Sequence, residues 1–172
     1  MAHKHLPSTL TLFFFPFLLA TAIFCTGCEM SKETESDQAS HDTGIEYLTS
    51  EKTAALNLPF SEAVRVGNML YLSGQIGTLP GTTQLAAGGI QAETRQTLEN
   101  IKTVLEANGS SMDRVVKATV MLADISEWPA LNEVYIEYFP NNKPARSAFA
   151  GSGLAFNARC EIEVIATVGD SP

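Results

Sequence analysis

Few side chains in this sequence have both the type and the setting to do chemistry. Arg146 follows Pro144-Ala145 and opens a stretch otherwise made of small and apolar residues. A cation there needs a partner if it is buried. Two readings fit: an Arg exposed at a strand end, or a local positive centre that receives a small anion even in an acidic chain. Glu161 and Glu163 alternate with apolar residues. They mark either a solvated strand face or a cleft in which one of them holds a water or exchanges a proton, its pKa tuned by burial. Ser73-Gly74-Gln75-Ile76-Gly77 ends a strand with two glycines but lacks the spacing of a dinucleotide or P-loop fingerprint. Glycines there permit a turn or bulge, or let a ligand approach the backbone closely.

Other chemistries are poorly served. His3, His5 and His41 all fall outside the region that patterns as a domain, so its core holds no His nucleophile or His metal ligand. The cysteines are Cys25, Cys28 and Cys160, and no downstream CxxC or HxxxH accompanies them, which argues against a zinc site. The net charge is -8 and no Lys/Arg run occurs. Binding to a phosphate backbone needs clustered cations, so nucleic acid is not an expected partner.

Residues 46–170 must position the candidates, and their pattern alternates between strand and helix. Val64-Arg65-Val66 passes through Gly67-Asn68 into Met69-Leu70-Tyr71-Leu72-Ser73, the signature of a hairpin. Leu98, Ile101, Val104 and Leu105 recur at the steps of an amphipathic helix, which Gly109 stops. Val115 to Leu122 is rich in β-branched residues and reads as a strand. Ser126 is placed to cap a second helix with Pro129 in its first turn. That helix carries Leu131, Val134, Tyr135 and Tyr138 on its apolar stripe and ends at Pro140. Arg146 to Ala150 is a short strand. Arg159 to Val168 is the clearest strand, with Cys160, Ile162, Val164 and Ala166 on one face and Glu161, Glu163 and Ile165 on the other. Met112, Met121 and Trp128 are expected to pack, Met121 in the core. The order predicts one α+β domain, a single mixed sheet with two helices packed on one face.

The first 45 residues are a different kind of sequence. Leu10 to Phe24 is almost wholly apolar. Fifteen residues rise about 22 Å as a helix, too short for a hydrocarbon core of roughly 30 Å but suited to a secretory leader. Thr26-Gly27-Cys28 follows and resembles a bacterial lipobox, although Cys25 stands where Leu is usual. Residues 1–27 are therefore expected to be a lipoprotein signal peptide, with Cys28 lipidated. A plain signal peptide or uncleaved anchor is the alternative. Residues 28–45, acidic and rich in Ser, are expected to form a flexible linker. The expected location is the cell envelope on the periplasmic side, with membrane contact only through the anchor. Glu29 favours the outer membrane, because Asp is the residue linked with inner-membrane retention. A secreted or periplasmic soluble protein is the alternative.

Taken in order, the motifs resemble the RidA (YjgF) family of imine deaminases. They are Leu58-Pro59-Phe60-Ser61-Glu62-Ala63-Val64, Leu70-Tyr71-Leu72-Ser73-Gly74-Gln75-Ile76, Gln91-Ala92-Glu93-Thr94-Arg95-Gln96, Leu98-Glu99-Asn100-Ile101, Asn132-Glu133-Val134-Tyr135, Pro144-Ala145-Arg146-Ser147 and Glu161-Ile162-Glu163. The resemblance implies a chorismate-mutase-like fold and a homotrimer with ligand clefts between subunits. It implies hydrolysis of reactive 2-imino acids or enamines, of the 2-iminobutanoate and 2-iminopropanoate type, to 2-keto acids and ammonia, with no metal or organic cofactor. It casts Arg146 as carboxylate binder and Glu161 as the residue that orients or activates water. Phe60, Ser73, Gly74, Ser147 and Ala148 would line the substrate site. Phe60 stands where the family has Tyr, Ala148 where many members have Cys, and Gly153-Leu154-Ala155-Phe156-Asn157 replaces the usual turn. The alternatives are a non-catalytic module that binds a small carboxylate or a partner protein, and a ribonuclease, an activity with which the family has been labelled.

Overall fold

A computed structural model describes residues 44–169. The expected leader, Cys28 and all but the last two linker residues lie outside the described residues. The sheet grows from the expected hairpin. Gly67 takes φ 57°, open to glycine without strain, and lets β2 (Ala63–Val66) turn into β3 (Met69–Leu72) with Val66 opposite Met69. A strand not foreseen, β1 (Ile45–Leu48), pairs antiparallel with β2 and includes the last residue of the expected linker. A short helix, α1 (Glu51–Ala54), follows, its N-cap Ser50 accepting from the Thr53 amide.

After β3, the chain continues as β4 (Gln75–Ile76) along the same neighbour, β7 (Cys160–Thr167). Between the Tyr71–Ile165 and Gln75–Ile162 pairs, three residues (Leu72, Ser73, Gly74) oppose two (Glu163, Val164). Gly74 of the motif thus lies in a one-residue bulge, which re-aims the strand.

Helix α2 (Ile90–Ala107) buries Leu98, Ile101, Val104 and Leu105, and Gly109 with φ 74° follows its end. Strand β5 (Val115–Leu122) lies between β7, antiparallel, and β6 (Ala145–Ala150), parallel. A parallel neighbour needs a crossover, which α3 (Trp128–Tyr138) supplies. Its start differs from expectation. Asp124 accepts from the Ser126 amide and caps a 3-10 turn at Ile125–Glu127, while Pro129 does occupy the first turn of α3.

The sheet order is β1-β2-β3-β7-β5-β6, with β4 beside β7. Leu70, Leu72, Ala118, Val120, Leu122, Ile162 and Val164 from one sheet face meet Leu98, Ile101, Leu131 and Val134 from α2 and α3. Each Leu, Ile and Val among them contributes about 1.5–3 kcal/mol on burial. The single mixed sheet with two helices on one face is therefore as expected. Met121 is not in this core. It lies half-buried on the opposite face, paired with Phe149 and Glu161, because Ala118, Val120 and Leu122 are the positions of β5 that face the helices.

Candidate active site

Arg146 sits near the start of β6, opposite Ala118 of β5. Paired residues share a face, so Arg146 projects toward the helices as Ala118 does. There its guanidinium carbon lies 4.6 Å from the ring centre of Tyr135 and 5.8 Å from that of Trp128. The partner that a half-buried cation requires is thus aromatic rather than acidic. Among the described residues the ion pairs are made by other arginines: Arg65–Glu46, Arg95–Glu137 and Arg159–Glu127. Among the described residues no acceptor takes the N–H donors of Arg146. Beside it opens a cavity of about 390 Å³, lined by Asn132, Tyr135, Ile136, Phe139, Lys143, Pro144 and Arg146. Burial pushes the Tyr135 hydroxyl up to about 12, with the Arg146 charge opposing. Sequence patterning placed Tyr135 and Trp128 among packing residues. The available signal was their spacing: seven residues, two helical turns, puts both rings on one face.

Glu161 lies on the other face of the sheet, between Met121 of β5 and Ile76 of β4. Its side chain rests on Gly74 of the bulge. Burial, and then the neighbouring Glu163 carboxylate, hold its pKa above the ordinary carboxylate range. Ser73 is next to this spot, but its hydroxyl donates to the Ser61 carbonyl at 2.7 Å. That bond, with the Ser73 amide donating to the Glu62 carbonyl, ties the Phe60 segment to the bulge. Phe60 is 51% exposed and adjoins the tied residue. Phe60, Ser73, Gly74 and Glu161 therefore form one neighbourhood.

Arg146 and Ala148 form another, both on the helix side of β6. Ser147 points to the opposite face, where its Oγ accepts from Lys117 Nζ at 2.9 Å. It does not join Arg146 within one chain. Nor does Glu161. The two backbones are two strands and about three residues apart, roughly 14 Å in the plane of the sheet, and their side chains leave opposite faces.

Several motif residues serve the scaffold. The Glu62 carboxylate accepts from the Ser50 amide and the Thr53 hydroxyl, fixing α1. Glu93, buried in the first turn of α2, accepts from the Arg159 amide at 2.9 Å and so sets where β7 begins, two residues before Glu161. Gln91 and Arg95 bond Glu133 and Glu137 and join α2 to α3. Among the described residues no group of three His, Cys, Asp or Glu is disposed to hold a metal ion.

A mixed sheet carrying two helices on one face, with a bulge under one carboxylate and an arginine on an aromatic platform, defines a small α+β domain of the chorismate-mutase-like type. Residues 51–168 match the family model described as Endoribonuclease L-PSP, and the chain belongs to that family, the RidA (YjgF) family. A goat protein named 2-iminobutanoate/2-iminopropanoate deaminase is 45% identical over 122 residues, covering 71% of this chain and 89% of that protein. Reactive Intermediate Deaminase A, chloroplastic, of Arabidopsis thaliana is 39% identical over 123 residues, 72% of this chain and 66% of that one. Among solved structures, RidA from an Antarctic Psychrobacter has TM-score 0.66 at 38% identity, covering 72% of this chain and 99% of its own. E. coli TdcF with bound serine has TM-score 0.62 at 33% identity, covering 65% and 90%.

Proposed function

We propose that this protein hydrolyses reactive 2-imino acids, and their enamine tautomers, to 2-keto acids and ammonia. The observation that carries the reading is Arg146: a guanidinium held on aromatic rings, with its donors unused, at the mouth of a cavity large enough for a four-carbon acid. The names of the goat and Arabidopsis relatives point to the same chemistry.

The substrate is a carboxylate beside a C=N carbon. The planar Arg146 fork grips the carboxylate through two parallel hydrogen bonds and fixes the carbon's position. Protonation of the imine nitrogen makes that carbon electrophilic. Glu161 takes a proton from the attacking water as the C–O bond forms, giving a carbinolamine, and returns it to nitrogen. The C–N bond then breaks, ammonia leaves, and the hydroxyl proton passes to the Glu161 carboxylate, which hands it to the departing ammonia as ammonium and is free to act as base again. Its raised pKa suits it to both transfers.

Arg146→Lys keeps the charge and loses the fork, and should lower kcat/KM about tenfold, some 1.4 kcal/mol. Arg146→Ala should be worse. Steady-state kinetics on freshly generated 2-iminobutanoate is the test. A folded Arg146→Ala protein with wild-type turnover would sink the proposed site, and a folded wild-type protein with no turnover would favour a non-catalytic binding module. The family description also names an endoribonuclease, so RNA cleavage by the same preparation is the control. The chain's charge of -8 argues against it.

Assembly as a homotrimer with intersubunit clefts belongs to the proposal. The opposite-face placement of Arg146 and Glu161 supports it, as do Tyr71 and Phe149, exposed on the face away from the helices. Light scattering should give about three times the monomer mass. Lipid anchoring through Cys28 on the periplasmic side of the envelope completes it, supported by the apolar run before Thr26-Gly27-Cys28. Among the described residues no helix is long and apolar enough to cross a membrane. Metabolic labelling with a fatty acid should mark the wild type and spare Cys28→Ser; equal labelling of both overturns the anchor.

A further inference from the structure

We infer that Tyr135 is the positioning residue for Arg146: its ring, not its hydroxyl, holds the guanidinium where a substrate carboxylate meets it. The inference rests on the deaminase reading of Arg146. The guanidinium carbon is 4.6 Å from the Tyr135 ring centre, well inside the roughly 6 Å over which a ring face attracts a cation. Trp128, one face and two turns away on α3, adds a second and more distant ring at 5.8 Å.

The choice of partner matters. A carboxylate would also fix the guanidinium, but it would neutralise it and occupy the fork. A ring face fixes the cation and leaves its in-plane N–H groups to a ligand. β6 is an edge strand, paired on one side only. An arginine there has freedom to swing into solvent, and side-chain rotamer entropy favours its doing so. The ring opposes that freedom before substrate arrives. Tyr135 can do this because it is itself immobile. It is 7% exposed, and its ring packs on Phe139 with centroids 4.7 Å apart. Its hydroxyl is buried and has no hydrogen-bond partner among the described residues. The residue is therefore not retained there by a hydrogen bond, and what it offers the site is the face of the ring.

The experiment replaces the ring's electrostatics while keeping its shape. In the full-length protein, Tyr135→Phe is the reference, and the phenylalanine at 135 is then replaced by its 4-fluoro and pentafluoro analogues. Fluorination withdraws the negative charge from the ring face without removing the ring. KM for 2-iminobutanoate and the inhibition constant of 2-oxobutanoate, which carries the same carboxylate, should rise in that order, reaching about two- to fivefold for pentafluorophenylalanine. The kcat should change much less, since the ring acts on binding. Tyr135→Leu should match or exceed the pentafluoro protein; if it fails to fold, the fluorinated series still decides. Equal constants across the series would overturn the inference. Should Arg146→Ala abolish activity while the series stays flat, only the positioning role falls. Should Arg146→Ala retain wild-type kinetics, the deaminase site itself falls.

Discussion

A β-carbon added to Gly74 would overlap Glu161 Oε1 and stand 2.8 Å from its Cδ. The bulge glycine is thus the floor on which the proposed water-activating carboxylate rests. The obstacle is the far end of a flexible side chain, so Gly74→Ala should fold but push the carboxylate aside. We expect kcat to fall at least about tenfold with a smaller change in KM. Gly77→Ala makes the contrast. Its β-carbon would meet the Glu93 carbonyl oxygen at 2.7 Å and Cα at 2.9 Å, which is backbone and cannot step aside. That variant should lose about 1–3 kcal/mol of stability. Thermal unfolding and steady-state kinetics on both separate the two; wild-type kcat in Gly74→Ala would deny Glu161 its role.

Glu161 also sets a pH dependence. Burial, and then Glu163, raise its pKa above the usual carboxylate value of about 4.3. Its base form is lost as pH falls through that raised value, so the acid limb of kcat/KM should lie above the ordinary carboxylate range. Glu163→Gln removes the like charge and should move the limb downward. The stability sign follows from the same shift. Native Glu161 holds its proton more tightly than the unfolded chain does. Its stabilising contribution is present below the ordinary carboxylate pKa and lost as pH rises through the raised one, so Glu161→Gln should not destabilise the fold at neutral pH. A pH–rate profile and urea melts check both; an acid limb unmoved by Glu163→Gln would contradict the coupling.

Much of this arrangement was legible in the sequence, because it is local. The Gly67-Asn68 hairpin, the Leu98–Leu105 stripe and the alternation around Ile162 are written in neighbouring residues and appear where expected. What the chain could not reveal locally is which face a candidate takes. Arg146 goes to the helix side because β6 joins β5 in a register that sets it beside Ala118, and that pairing joins residues 28 positions apart. Met121 was misplaced for the same reason, and Tyr135 and Trp128 were legible as an apolar stripe but not as a seat for a cation.

Cys160 is expected to be chemically silent in the native protein. It is fully buried, and its sulfur lies 3.6 Å from Thr94 Oγ1 and 3.7 Å from Thr97 Oγ1. Burial pushes the thiol pKa up, so little thiolate forms near neutral pH. Alkylation at Cys160, followed on its own peptide by mass spectrometry, should be at least about 100-fold slower in the folded protein than in urea, because it requires opening of the core. Comparable rates in both states would mean that the α2–β7 packing opens readily.

The final prediction follows from the sidedness of the proposed site. Within one chain Arg146 and Glu161 leave opposite faces of the sheet, roughly 14 Å apart in its plane. No side-chain rotation brings them to one small imine, so a working cleft must take its Arg from one copy and its Glu from another. Arg146→Ala and Glu161→Gln chains should each assemble into inactive homotrimers. If the two are unfolded together in equal amounts and refolded, each cleft draws its Arg-bearing side from one chain and its Glu-bearing side from another. An intact cleft then needs a Glu161→Gln chain on the first side and an Arg146→Ala chain on the second, each with probability one half, so about a quarter of wild-type activity should return. The same chains mixed without unfolding should recover much less at first and gain activity only as fast as subunits exchange. Failure of the co-refolded mixture to regain activity, with trimers verified by light scattering, would mean that both groups do not act in one cleft.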